Sequence, residues 1–467
     1  DRQVALNPHL ATLLDWIYPT YEGDKTPGWQ VELGLWIYDR MTENPNKHRQ
    51  LDDAEIERLA PGLEDERRGR VLAYSDARVD DARLTHAVAA TGVALGGRVL
   101  TRAVVEGARR SADGELRGVV VRDLLDGRTH EIDAALVINA TGAWTDQVRE
   151  RFGLDGRTVR PSRGSHLLFG FDRLPLNAAV TILSPDDRRP VFFIPHPEGI
   201  VAGTTDLFHE GDVDDPRPSR AEVDYILRTA AVGFPDTPLT DADILGAFAG
   251  VRPVLDNDSD DPSKASREEA IWHEQGLLSV AGGKLTTWRS TAEEVVDEAI
   301  EHLPRERRRR ARPCATEGTP VGALSPSDLD RRLVLAHGLD ADVADGLARR
   351  LGATAWTAAT MAREGELRRL RDDTDLTAAE LRAHARFGGV VHLSDVLLRR
   401  TRLGMWRPEI ARQVAPSAAA ILAGELQWDA DRVDRELARF SRDLEAWTRD
   451  GIRDDAPSEA SGRERDA

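Results

Sequence analysis

The sequence predicts an α/β plus α+β protein: a nucleotide-binding α/β layer, an antiparallel-sheet substrate domain and a C-terminal all-α domain. Three observations predict it. Two apolar runs, ALVIN (135–139) and LLSVA (277–281), each break at small residues and pass into a helix, the strand–turn–helix step of an α/β layer. Between them, residues 157–276 read as strands separated by turns, a mostly antiparallel sheet. From residue 315 onward the periodicity is helical, with polar joints between successive helices.

Composition bounds the function. The chain has 467 residues, enough for two or three domains with a large core. Its formal net charge of −18 argues against nucleic acid as a partner, because that binding needs a basic face. The same charge disfavours broad attachment to anionic lipid, though a local patch can still act. Cys314 stands alone, which excludes disulfide frameworks and cysteine metal clusters and fits a reducing cytoplasm. No apolar run reaches the roughly 18–20 residues of a membrane span. No metal site is expected: the carboxylates of 256–267 match no calcium-loop spacing, and Pro262 interrupts them.

The elements follow in order. ATLLDWIYP and WQVELGLWIYDRM are aromatic and apolar, the second a helix; Trp16, Trp29 and Trp36 are expected to pack in a core. LDDAEIERLAPGL is a short helix ended by Pro61-Gly62. Asp80 and Asp81 cap the helix that follows them, rather than serving acid–base chemistry. GGRVLTRAVVEGARR reads as a strand, and LRGVVVRDLLDGRTHEIDA as a hairpin turning near Asp126-Gly127. Ala140, Thr141 and Gly142 then form a tight turn whose small residues let a cofactor approach the backbone. Ser219 and Glu222 make a capping-box pattern before one helix inside the sheet region. RERRRRARP (305–313) reads as a solvated linker, and residues 450–467 as a disordered tail.

Leu277–Arg289, LLSVAGGKLTTWR, carries the strongest chemical signal. Strand, glycine pair and helix start turn backbone N–H groups outward, with the positive end of the helix dipole behind them. Lys284, one of only four lysines, adds a full charge. Such a place suits a group that becomes negative, a phosphate or a reduced flavin ring. Read alone, it is equally an ordinary β-to-α turn with a solvated lysine.

YSDARVDDARL, VINATGAWTDQV, RGSHLLF, FFIPHPEGIVAGTTD, GVRPVL, GGKLTTWR and RRTRLGMW occur in this order, and together they resemble the FAD-dependent glycerol-3-phosphate dehydrogenases. The resemblance covers about residues 30 to 410. It implies an aerobic, quinone-linked enzyme that oxidises sn-glycerol 3-phosphate to dihydroxyacetone phosphate, moving hydride from C2 to flavin N5 and passing electrons to membrane quinone. The family's opening βαβ unit with Gly-x-Gly-x-x-Gly has no match, since Gly92–Gly97 follows a helix and not a strand. The expectation is therefore an N-terminally truncated FAD-binding Rossmann-like layer. Residues 1–69 would be a helical and loop part of the substrate domain, and 70–156 with 277–304 the FAD-binding domain. Residues 157–276 would be the substrate sheet, and 315–449 the helical domain.

The resemblance also implies roles. Arg252 would hold the substrate phosphate, because a guanidinium offers a planar fork. Lys284 and the N–H groups of Leu285 and Thr286 would stabilise the reduced flavin. His166 would take the C2 hydroxyl proton, with His196 a weaker candidate. Gly283 and Ala140–Gly142 would line the ring and ribityl chain, and Val99 and Leu100 the adenine end. Location is expected to be cytoplasmic, with room for a peripheral contact at the inner membrane face and for a homodimer. Two other functions stay open: an oxidase passing electrons to oxygen, and an inactive truncated chain.

Overall fold

The structure, a computed structural model, describes residue 4 and residues 7–41, 46–256, 269–311 and 328–454. The loop 257–267, Cys314 and most of the expected tail lie outside them.

The first strand, β1 (Ala11–Tyr21), precedes an exposed helix, α1 (Gly28–Met41). A two-residue strand, β2 (Arg49–Gln50), leads to α2 (Asp53–Leu59), closed at its start by a capping box between Asp52 and Glu55. Then come β3 (Arg68–Val79) and α3 (Asp81–Ala94). Of the two expected caps, Asp80 caps α3 by accepting from the Arg83 N–H, while Asp81 is the helix's first residue. A three-stranded antiparallel sheet follows: β4 (Ala103–Arg110), β5 (Leu116–Asp123) and β6 (Thr129–Asp133), with Gly127 at positive φ in the expected turn. β7 (Val137–Asn139) runs through the Gly142 turn into α4 (Thr145–Arg151).

The substrate sheet continues with β8 (Val159–Phe169), β9 (Ala179–Leu183), β10 (Pro190–His196), β11 (Gly199–Gly203) and β12 (Leu207–Phe208). α5 (Arg220–Gly233) carries the predicted Ser219–Glu222 capping box, and β13 (Gly246–Leu255) returns beside β8. β14 (Ala270–Glu274) and β15 (Leu277–Ala281) then join β7 in a second sheet, before α6 (Trp288–His302).

The nine-stranded sheet has the order β12-β8-β11-β10-β9-β1-β3-β2, with β13 also on β8. β1 and β3 thus stand inside it, pairing from Ala11↔Val79 to Tyr21↔Arg68. The sequence expectation puts 1–69 in the substrate domain, as helix and loop, and β3 in the cofactor layer. The long β1–β3 pairing overrides that boundary, because each strand satisfies its backbone groups on the other. Leu167, Phe169, Ile182 and Phe193 form the core under one face, covered by Val223, Ile226 and Ala230 of α5.

Two further expectations change. Trp16 packs, its ring stacked with Tyr74 at 6.3 Å and edge-on to Phe192 at 5.5 Å. Trp29 and Trp36 do not: they are 57% and 46% exposed on α1, which buries no residue. Residues 450–454 are not free tail, since Arg453 bridges Ser219 and Arg453 N–H donates to Pro218 O.

The C-terminal helices are α7 (Leu329–His337), α8 (Ala341–Leu351), α9 (Thr354–Thr360), α10 (Ala378–Phe387), α11 (Pro408–Leu426) and α12 (Ala430–Glu445). A π-helical turn, Asp395–Arg400, stands between α10 and α11. Leu381, Leu393, Leu397, Val414, Leu422 and Phe440 make the core of this region. Among the described residues, no helix is long and apolar enough to cross a membrane, and no group of three metal-ligating side chains occurs.

Candidate active site

Register on β8 builds the site. Ser162, Gly164 and His166 stand opposite Arg252, Gly250 and Phe248 of β13. Paired residues share a face and alternate residues point the same way. Arg252, Ser162, Gly164, His166 and Phe248 therefore share the face opposite to the α5-covered core.

Arg252 is anchored there. Its Nη2 donates to Thr204 Oγ1 at 3.0 Å, and Nη1 reaches Asp206 Oδ1 at 3.4 Å. Ser162 Oγ donates to the same Asp206 oxygen. Gly164 leaves room for the guanidinium: a Cβ there would stand 2.4 Å from Thr204 Oγ1 and 2.7 Å from both terminal nitrogens of Arg252. Beneath lies a buried carboxylate, Glu222, which accepts from Thr205 Oγ1 at 2.6 Å and pairs with Arg163 at 2.7 Å. Sequence reading named Arg252 and missed Thr204, Asp206 and Gly164. A signal was present, because an isolated glycine in a strand marks a close approach.

His166 lies flat against Phe248, centroids 4.9 Å apart and planes 11° from parallel. Its Nδ1 is buried without a hydrogen-bond partner among the described residues. Burial, and then the charge of Arg252, lower its pKa to about 4, so the ring is neutral near pH 7. His196 stands elsewhere: it tilts against Trp406 at 6.0 Å, and its charged neighbours are Arg78, Arg402, Asp80 and Arg83.

The two glycine turns meet at one end of a parallel strand pair. β7 and β15 pair from Leu277↔Val137 to Ser279↔Asn139, so the chain leaves both strands side by side. Carboxyl ends of parallel strands are where ligands sit in open α/β layers. Gly142, Gly282 and Gly283 have φ of 60°, 82° and 83°, which glycine adopts without strain. Thr141 Oγ1 donates to Asn139 Oδ1 at 2.6 Å, and Asn139 Nδ2 donates to Thr145 O at 3.1 Å, fixing the first turn. Lys284, Leu285 and Thr286 are exposed, with Lys284 and Leu285 leading into a 3₁₀ turn before α6. The turns adjoin the Arg252 site, since a Cβ on Gly142 would lie 3.8 Å from Pro253 Cγ.

The residues fit the ring end of a flat, anionic-on-reduction cofactor: exposed Ala140 and Thr141 beside half-buried Gly142, glycines at 282–283 and a cation at 284. The other end is less built. Val99 and Leu100 lie outside β4, 53% and 65% exposed, where sequence reading had placed a strand. No strand–Gly-x-Gly-x-x-Gly–helix unit occurs among the described residues.

Comparison with known proteins gives the family. The family profile described as FAD dependent oxidoreductase matches residues 15–287, and that described as C-terminal domain of alpha-glycerophosphate oxidase matches 314–433. A glycerol-3-phosphate dehydrogenase of Mycobacterium leprae is 32% identical over 463 residues, covering 96% of this chain and 77% of its own length. An aerobic glycerol-3-phosphate dehydrogenase of Staphylococcus haemolyticus is 32% identical over 358 residues, 74% of this chain and 64% of its own. The crystal structure of the Bacillus halodurans glycerol-3-phosphate dehydrogenase complexed with FAD superposes with a TM-score of 0.75 at 27% identity, over 94% of this chain and 83% of that one. The chain belongs to the FAD-dependent glycerol-3-phosphate dehydrogenase family.

Proposed function

We propose that the protein oxidises sn-glycerol 3-phosphate to dihydroxyacetone phosphate and passes the electrons to quinone. The observation that carries this is the anchored Arg252 beside the Gly142 turn, on one sheet face with His166. FAD, when bound, supplies the acceptor for the hydride from C2. Ala140, Thr141, Gly142, Gly283 and Lys284 would hold its ring end, with Val99 and Leu100 toward the adenine.

Arg252 binds the substrate phosphate with Nη groups already oriented by Thr204 and Asp206. His166 takes the C2 hydroxyl proton. Part of what lowers its pKa is the Arg252 charge, and a phosphate on Arg252 cancels that part, so substrate itself strengthens the base. Lys284 and the N–H groups of Leu285 and Thr286 offer positive charge where the ring gains negative charge. The apolar stripe of α1 — Trp29, Leu33, Trp36, Ile37 and Met41, all exposed — supports a peripheral membrane contact.

Oxygen as acceptor is the second reading, favoured by the oxidase description of the profile over 314–433. Turnover with a soluble quinone, measured beside peroxide release in air, separates the two. Quinone reduction without stoichiometric peroxide supports the dehydrogenase; peroxide release at the full rate without quinone rejects it.

A further inference from the structure

A cleft of about 550 Å³ opens between α3 and the C-terminal helices. That lies within the range of about 300–1,000 Å³ typical of small-molecule sites. Neither the Arg252 site nor the glycine turns contribute to its walls. One wall is a face of α3 bearing Ala82, Ala87, Ala90 and Ala94, and the opposite wall carries Leu351 and Phe387. From Ala82 to Ala94 that face runs for about 18 Å, at 1.5 Å per helical residue. The alanines leave a groove along it, which Arg83, His86 and Thr91 of the same helix also line.

The polar lining is one-sided. Four arginines, Arg83, Arg350, Arg399 and Arg400, and three histidines contribute, and no aspartate or glutamate does. This is a local reversal of sign in a chain of net charge −18. Three of the arginines have carboxylates behind them: Arg350 has Glu380 at 2.6 Å, Arg83 has Asp80 at 3.1 Å and Arg399 has Asp395 at 3.3 Å. Arg400 differs. Its Nε and Nη2 both donate to Gly388 O, at 3.0 and 2.7 Å, and no carboxylate lies within 4.0 Å among the described residues. The nearby Asp395 is already taken by Arg102 at 3.0 Å, by Arg399 and by the N–H groups of Val391 and His392. A half-buried guanidinium whose carboxylate neighbour, Asp395, acts only at a distance and is shared with Arg102 and Arg399 is under-compensated, and an incoming anion adds the missing charge. His9 Nδ1 is also buried without a hydrogen-bond partner in this lining.

We propose that this cleft binds a single-chain amphipathic anion, its carboxylate or phosphate head paired with Arg400 and its apolar chain laid along Ala87, Ala90 and Ala94 toward Phe387. The charge selects the head, and the alanine trough selects an unbranched chain over a bulky one.

Calorimetric titration of the full chain with dodecanoate, dodecyl phosphate and dodecanol, the anions below their micelle-forming concentrations and the alcohol below its solubility limit, tests this. Saturable one-to-one binding of an anion is expected, with dodecanol weaker by about ten-fold or more. Arg400→Met should weaken the anion by about ten-fold or more while Arg400→Lys keeps most of the affinity. Ala90→Trp, at an exposed helix position, should fill the trough and abolish binding. Preference for dodecyl phosphate assigns a phosphate head and preference for dodecanoate a carboxylate, and either supports the proposal. No saturable binding, equal binding of dodecanol, or unchanged affinity in Ala90→Trp overturns it. Should Arg400→Met fail to fold, Arg400→Lys and Ala90→Trp decide.

Discussion

Gly164 lies directly beside the Arg252 guanidinium, so that a single methyl at position 164 would stand 2.7 Å from both of its terminal nitrogens. The backbone there belongs to β8 and cannot retreat, because β13 binds it along Val159–Leu168. Gly164→Ala must therefore move Arg252. A displaced phosphate anchor is expected to raise KM for glycerol 3-phosphate about ten-fold or more with flavin content unchanged. Arg252→Ala sets the limit of the same effect. Unaltered substrate affinity in both would remove Arg252 from the site.

Lys284 heads the second glycine turn and is exposed there. Lys284→Met keeps the stem and deletes the charge. Single-turnover flavin reduction should slow by about ten-fold or more, since charge placed where negative charge develops acts on the reaction step. An unchanged rate would confine Lys284 to a surface role.

Acid should destabilise the protein through its histidines. Burial first, and arginine charge second, lower His9 and His166 to about 4 and His196 to about 3, from 6.5. In that interval the unfolded chain binds protons that the folded chain refuses, so stability rises with pH. Relative to neutral pH, stability is lost as pH falls below about 6.5, and the loss is complete near 4 for His166. Thermal midpoints at pH 7 and pH 5 check this. His166→Gln should narrow their difference.

Arg350 and Glu380 form a buried pair in the helical domain, with Nε–Oε1 at 2.6 Å and Nη2–Oε2 at 2.8 Å. Burial pushes Glu380 up, but Arg350 and His384 outweigh it and hold its pKa at about 2. Removing one partner strands the other, so Arg350→Met should cost about 3–5 kcal/mol in denaturant unfolding. A loss below ~1 kcal/mol would show that the pair contributes no more than a surface pair.

What could be read from sequence was what backbone chemistry forces locally. Gly282-Gly283 and Ala140-Thr141-Gly142 were legible because only small residues and positive φ suit such turns. The caps at Asp80 and Ser219 were legible for the same local reason. Pairing at a distance was not. Nothing local says that Arg252 stands opposite Ser162, or that β1 and β3 enter the large sheet. Hydrophobicity also misled at Trp29 and Trp36, because a helical apolar stripe looks the same whether it faces inward or outward.

In the proposed function the chain reduces a flavin seated at the paired glycine turns with electrons from glycerol 3-phosphate bound at Arg252. The most direct measurement is anaerobic addition of glycerol 3-phosphate to FAD-loaded protein while the visible flavin band is followed. Bleaching by glycerol 3-phosphate, absent with glycerol, is the predicted result. A loaded protein whose flavin stays oxidised under saturating substrate would rule out this reaction.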